Sequence, residues 1–183
     1  MIRREIDSPY AWFRLAVSVL LSAIGGVGMW SVVVAIPAVQ AEFGAERGAA
    51  SLPFTLTMIG FGVGGVIMGR LADRRGIILP VMIGALALGG GFILASLSGG
   101  LVSFAAAYLL IGTFGSAATF VPLLADISFW FEKRRGIAVA VCACGNYLSG
   151  AVWPTLIESG IHTHGWRTTH FAVGITCLVL MPP

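Results

Sequence analysis

Few side chains in this sequence can do chemistry, and their grouping says which kind. Among 183 residues there are eight acids, eleven Lys or Arg, three histidines and three cysteines. Covalent catalysis needs a nucleophile beside a base, and a metal centre needs three or four donors at ligand spacing. Neither pattern is present. Cys142 and Cys144 point to different sides of a helix, all three cysteines lie in apolar runs, and His162 and His164 lack a third ligand. No metal, no cofactor and no enzymatic activity are expected. Two kinds of noncovalent chemistry remain. Charges bunch in Gly69-Arg70-Leu71-Ala72-Asp73-Arg74-Arg75-Gly76, at Asp126, and in Trp130-Phe131-Glu132-Lys133-Arg134-Arg135-Gly136. Such groups can pair and unpair as parts move. Uncharged polar and aromatic residues (Trp30, Tyr108, Thr119, Asn146 and Tyr147) sit far from any charge, where they offer hydrogen bonds and ring surface to a solute.

The elements that position them are set by what lies between the charges. The chain is 57% hydrophobic and 10% charged, with a mean hydropathy of +0.94. A water-soluble domain carries about a quarter charged residues, so the solvent for this chain is a bilayer. Residues 15–41, 48–69 and 136–157 are uncharged runs of 27, 22 and 22 residues, each enough for a helix to cross about 30 Å of hydrocarbon. Residues 76–125 make an uncharged run of 50, two spans broken at Ser98-Gly99-Gly100. Residues 168–183 begin a sixth span and stop after 16. The runs lack the alternation of membrane strands. The expected fold is therefore all-α, a polytopic bundle of six transmembrane helices. Residues 1–14 are a cytoplasmic segment and residues 15–183 the bundle, its sixth helix expected to be incomplete.

Basic residues orient the spans. Arg3, Arg4, Arg14, Arg70, Arg74, Arg75, Lys133, Arg134 and Arg135 fall on one side, and only Arg47 and Arg167 on the other. The N-terminus is accordingly cytoplasmic, and the net charge of +3 is a topology signal that calls for no nucleic acid.

The spacing Gly-x-Leu-Ala-Asp-Arg-x-Gly after the second span resembles the signature loop of the major facilitator superfamily. Trp-Phe-x-x-Arg-Arg-Gly-x-Ala before the fifth span and Gly165-Trp166-Arg167 before the sixth resemble it too. The branch holding monocarboxylate and oxalate–formate carriers is the nearest likeness. The resemblance implies the N-terminal half of a carrier, built as two inverted three-helix repeats, with a second six-helix half still to be supplied. It implies that Gly69, Asp73, Arg74 and Gly76 help lock the cytoplasmic side against that second half, and that Asp126 pairs with the loop arginine, Arg134 and Arg135 adding to the network. The basic residues usual after this loop are missing at Ile77-Ile78-Leu79, where Arg70 and Arg75 are the available substitutes.

The resemblance further places helices one and four, and part of helix five, around the solute. Trp30 shares a face of helix one with Ser22, Gly26 and Pro37. Tyr108 and Thr119 fall on a helix-four stripe with Gly112, Gly115, Pro122 and Asp126, and Asn146 and Tyr147 stand on helix five. These five residues are the candidate cavity. The function expected is secondary active transport of a small solute by alternating access in the plasma (cell inner) membrane, with organic anions among the solutes and a proton or counter-substrate as coupling partner. The competing reading is a six-helix homo-oligomeric channel or scaffold. Gly60, Gly64, Gly65 and Gly69 would serve helix packing in either case.

Overall fold

A computed structural model describes residues 6–182; Arg3, Arg4 and Pro183 lie outside the described residues. The described chain is helical without strands: α1 (Pro9–Gly25), α2 (Val27–Phe43), the single turn α3 (Arg47–Ala50), α4 (Leu52–Arg75), α5 (Ile78–Ser96), α6 (Leu101–Leu110), a π-helical segment (Ile111–Ser116), α7 (Val121–Trp130), α8 (Arg135–His164) and α9 (Trp166–Leu180). Five stretches are long and apolar enough to cross a membrane: Pro9–Phe43, Arg47–Arg75, Ile78–Ser96, Leu101–Trp130 and Arg135–His164. The sixth, α9, has 15 residues. Helix extends past most of the uncharged runs, and residues 9–14 already belong to α1, because interfacial charges are solvated at helix ends. Leu20, Val63, Leu86, Leu94 and Val152 are each more than half exposed. A surface clad this way faces lipid, and the chain is an integral membrane protein.

Local chemistry sets the ends. Ser8 caps α1 by accepting a hydrogen bond from the Ala11 N–H, and Pro9 occupies the first turn, where its missing N–H costs nothing. The turn between α4 and α5 needs Gly76, whose φ is +79°, and α8 passes into α9 through Gly165 at φ +80°. The third and fourth spans part at residues 97–100, where the Ser-Gly-Gly sequence predicts a turn.

Two spans are broken inside the bilayer. The first changes from α1 to α2 at Gly26. The fourth opens into the π segment, closed by Ala117 N–H donating to the Gly112 carbonyl five residues back, and restarts at Val121-Pro122. Pro122 has no N–H for the carbonyl four residues earlier. One extra residue per turn rotates everything beyond it by about 100°. The stripe expected on a straight helix four is therefore dispersed. Gly112 meets the Thr57 backbone, Gly115 meets Leu88, and Thr119 meets Gly25.

The spans pair in a pattern with internal symmetry. The first packs along the fifth (α1 and α2 on α8), the fourth along the second (α6 and the π segment on α4), and the third along the sixth (α5 on α9). Exchanging the first three spans for the last three maps this pattern onto itself, as two inverted repeats require. Small residues bring the pairs close. A Cβ on Gly145 would sit 2.6 Å from the Val19 carbonyl oxygen, and one on Gly60 would sit 2.6 Å from Thr113 Oγ1. Added to Gly64, it would run into the Thr113 backbone. Gly60 and Gly64 thus serve packing within the chain.

Gly64→Ala should lower folded stability in detergent by about 1–3 kcal/mol, the usual cost of overpacking, read as a lower midpoint of thermal unfolding. Gly62→Ala, with open space around its Cβ, should leave that midpoint unchanged. Equal midpoints for both variants would contradict the packing described.

Candidate functional site

Where spans one and five meet, the bundle is small and polar. Ser22 and Gly26 face Gly145 and Ser149, close enough that a Cβ on Gly26 would be 2.6 Å from both Asn146 Oδ1 and Ser149 Oγ. Trp30 Nε1 donates to the Asn146 carbonyl at 3.2 Å, and its ring lies over Gly150. Trp153 Nε1 donates to the Ala23 carbonyl at 2.9 Å. Ser22 Oγ and Ser149 Oγ are buried with no hydrogen-bond partner among the described residues. Leaving such a group unsatisfied costs about 1–3 kcal/mol, so this seam holds unspent polarity at mid-membrane. Trp30 and Asn146 are half-buried, and Tyr147, the next residue, is 72% exposed.

Of the five expected cavity residues, Trp30 and Asn146 are brought into contact and Tyr147 lies beside them at the surface. Tyr108 and Thr119 are placed inside the packing. Tyr108 is fully buried, boxed by Phe92 and Phe104, its hydroxyl 3.1 Å from Ser31 Oγ and 2.8 Å from His170 Nε2. Thr119 is 1% exposed and donates to the Ser116 carbonyl at 3.1 Å. Both have their polar atoms satisfied inside the packing, so neither lines an open space.

At the end of the bundle that carries most of the basic residues, Asp126 has a partner other than the one expected. Arg14 Nε and Nη2 donate to its two carboxylate oxygens at 2.9 and 3.0 Å, with the guanidinium 4.7 Å from the Trp130 ring centre. The register change in span four turns α7 so that this carboxylate meets span one, and Arg74 stays exposed at the end of α4. The motif aromatics hold the same corner. Trp130 stacks edge-on against Tyr10 and Phe131 against Trp12, while Asp7 accepts a hydrogen bond from the Lys133 N–H. Asp73, Gly76 and Asp126 line one small cavity of about 240 Å³ with Ile77 and Phe129. The side chains of Asp73, Arg74 and Arg134 make no hydrogen bond or ion pair among the described residues, and Arg135 donates to Ser128 Oγ at 3.3 Å. Gly69 has only Val121, at 3.8 Å, near its Cβ position.

A second arginine clamp closes the opposite end. Arg167 donates to Glu42 at 2.7 and 3.1 Å and to the Ser96 carbonyl at 2.7 Å, and Trp166 Nε1 also donates to Glu42. Arg14 entered the sequence reading only as an orientation signal, and Glu42 and His170 had no role in it. The one signal pointing to His170 was an imidazole inside an apolar run.

The family model of the Major Facilitator Superfamily matches residues 18–182. The chain belongs to that superfamily. Among curated relatives of this facilitator, the Fujikurins efflux protein of Gibberella fujikuroi is 32% identical over 67% of the chain and 28% of its own length. Monocarboxylate transporter 11 of Homo sapiens is 30% identical over 61% of the chain and 24% of its own. The MFS-type transporter pytF of Aspergillus terreus is 29% identical over 66% of the chain and 41% of its own. The chain thus spans less than half the length of these relatives. In fold it is similar to a peptide transporter, POT, crystallised with alafosfalin, at a TM-score of 0.76 over 97% of the chain and 39% of that structure, with 16% sequence identity.

The Arg14–Asp126 pair is partly exposed, at 26% and 19%, so solvent screens it. A double-mutant cycle on Arg14→Ala and Asp126→Ala should give a coupling of about 1 kcal/mol. The same cycle on Arg74→Ala and Asp126→Ala should give none. The reverse result would restore the loop arginine as the partner of Asp126.

Proposed function

We propose that this facilitator chain is one half of a secondary active carrier that moves a small solute by alternating access. The solute is held at the seam of Trp30, Asn146 and Tyr147, between this half and a second six-helix half. The observation that carries the proposal is the unengaged signature loop. Within this half Gly69 has room for a side chain, and Asp73 and Arg74 have no partner among the described residues. Their types and spacing are otherwise unaccounted for, and a facing helix of a second half accounts for all three. Its N-terminal dipole would attract Asp73, and its backbone would need the narrow profile of Gly69.

The seam offers rings, an amide and hydroxyls and carries no fixed charge. In this half, recognition rests on ring surface and hydrogen bonds, and the cation for an organic anion would come from the second half. Organic anions agree with the likeness to Monocarboxylate transporter 11. A coupled proton or counter-solute supplies the driving force. The basic asymmetry supports a cytoplasmic N-terminus and a plasma or cell inner membrane location, and superfamily membership supports transport rather than catalysis.

Asp73→Asn in the full-length carrier should impair transport while membrane insertion stays normal. A contact present in only one state biases the equilibrium by its differential energy. A charge-assisted contact of about 1–3 kcal/mol changes that equilibrium about five- to 150-fold. Wild-type transport with unchanged accessibility of the cytoplasmic side would reduce the loop to a topology signal.

A further inference from the structure

His170 is the one imidazole sealed inside the described bundle, and the reading above gives it no task. It is 1% exposed. Phe92 of α5, Phe104 and Tyr108 of α6 and Trp166 of α9 surround it with ring centres 5.6, 5.8, 6.1 and 5.6 Å away. Both ring nitrogens are engaged. Nδ1 is 2.8 Å from the Trp166 carbonyl oxygen and Nε2 is 2.8 Å from the Tyr108 hydroxyl. A carbonyl can only accept, so Nδ1 carries the proton. In the neutral ring Nε2 is then the acceptor, and Tyr108 O–H donates to it. That leaves the Tyr108 oxygen to accept from Ser31 O–H at 3.1 Å. The chain of bonds has one direction, Ser31 to Tyr108 to His170 to the Trp166 carbonyl, and ties α2, α6 and α9 together.

A proton on Nε2 removes the acceptor that Tyr108 donates to and forces the hydroxyl bonds to reverse, with Tyr108 accepting from Nε2–H and donating to Ser31 Oγ. The ring becomes a cation with no carboxylate bonded to it. From α2 the neighbouring groups are Ser31 and, through Trp166, Glu42, which is already held by Arg167 of α9. The third element, α5, presents Phe92. Ile157 and Ile161 of α8 belong to the same apolar core, as does the Cys177 thiol further along α9. The aromatic faces offset only a fraction of the hydration a buried cation loses. An ionised His170 is stable only where water reaches it.

We propose that His170 is a proton-binding site that latches spans one, four and six: neutral and closed as observed here, protonated once these spans part and admit water. For the carrier reading this names a coupling or pH-sensing group in a half that has no intramembrane carboxylate. The ring's titration is measured without any solute, so it stands or fails apart from that reading.

The test is histidine 15N NMR of the full-length protein in lipid nanodiscs, with His170→Gln assigning the signal. At pH 8 the ring should be the neutral Nδ1–H tautomer. Between pH 8 and 4.5 it should convert to imidazolium, and its Nδ1–H signal should collapse through water exchange at the same midpoint. Tyr108→Phe removes a bond made only in the closed, neutral state, so the midpoint should rise by about half to one pH unit. Ser31→Ala, which leaves the rings in place, should raise it less. A ring still neutral at pH 4.5, an Nε2–H tautomer at pH 8, a midpoint indifferent to both variants, or an imidazolium whose Nδ1–H stays sharp would each overturn the proposal.

Discussion

A backbone carbonyl in the middle of a bilayer has no water to turn to, so a helix broken there must be repaired by its neighbours. Spans one and four are both broken, and the repairs hold the bundle together. Ser116, in the π segment of span four, donates to the Gly25 carbonyl at the break in span one at 3.0 Å, and Trp153 of span five donates to the Ala23 carbonyl. The break in span one is satisfied by side chains from spans four and five. The breaks therefore meet at one level, and the residues that meet there must be small or hydroxylated. A Cβ on Gly28 would lie 2.4 Å from Ser116 Oγ.

The proposed solute-facing surface follows from that arrangement. Discontinuous helices in corresponding positions of two inverted repeats are where facilitator-like folds bring polar groups to mid-membrane. In this protein the breaks leave the seam between spans one and five lined by Ser22, Trp30, Asn146 and Ser149. At the two membrane faces arginine–carboxylate clamps do a different job. Arg14 with Asp126 ties span one to span four, and Arg167 with Glu42 ties span one to span six. Each clamp is internal to this half. Asp73 and Arg74, which are among the described charges without internal partners, are available to another half. The division between engaged and unengaged charge separates what holds the half together from what its partner would use.

Much of this was legible in the sequence because it depends on composition and on glycine. Uncharged runs give the number of spans, basic residues bias their orientation, and the Gly69–Gly76 spacing carries the family. Positions beyond a break were not legible. The straight-helix rule put Tyr108, Thr119 and Asp126 on one stripe, whereas Tyr108, ahead of the π segment, meets His170, and Thr119 and Asp126, beyond it, meet Gly25 and Arg14. A proline at 122 signals that a helix is disturbed, and it does not say by how many residues the register slips. Trp30 also lies beyond a break, but Gly26 there keeps right-handed helical dihedrals, and Trp30 stays on the face it shares with Ser22 and Gly26.

The central claim is that the seam beside Asn146 is reached by water from each side of the membrane in turn. Its most direct test is labelling of Tyr147→Cys by a membrane-impermeant thiol reagent, in the full-length carrier with its native cysteines replaced. Lys133→Cys and Glu158→Cys serve as controls for the two sides. The account predicts that position 147 reacts from either side, position 133 only from the cytoplasm, and position 158 only from outside. A cysteine at position 147 that reacts from neither side, with both controls behaving as stated, would place this face against lipid and contradict the account.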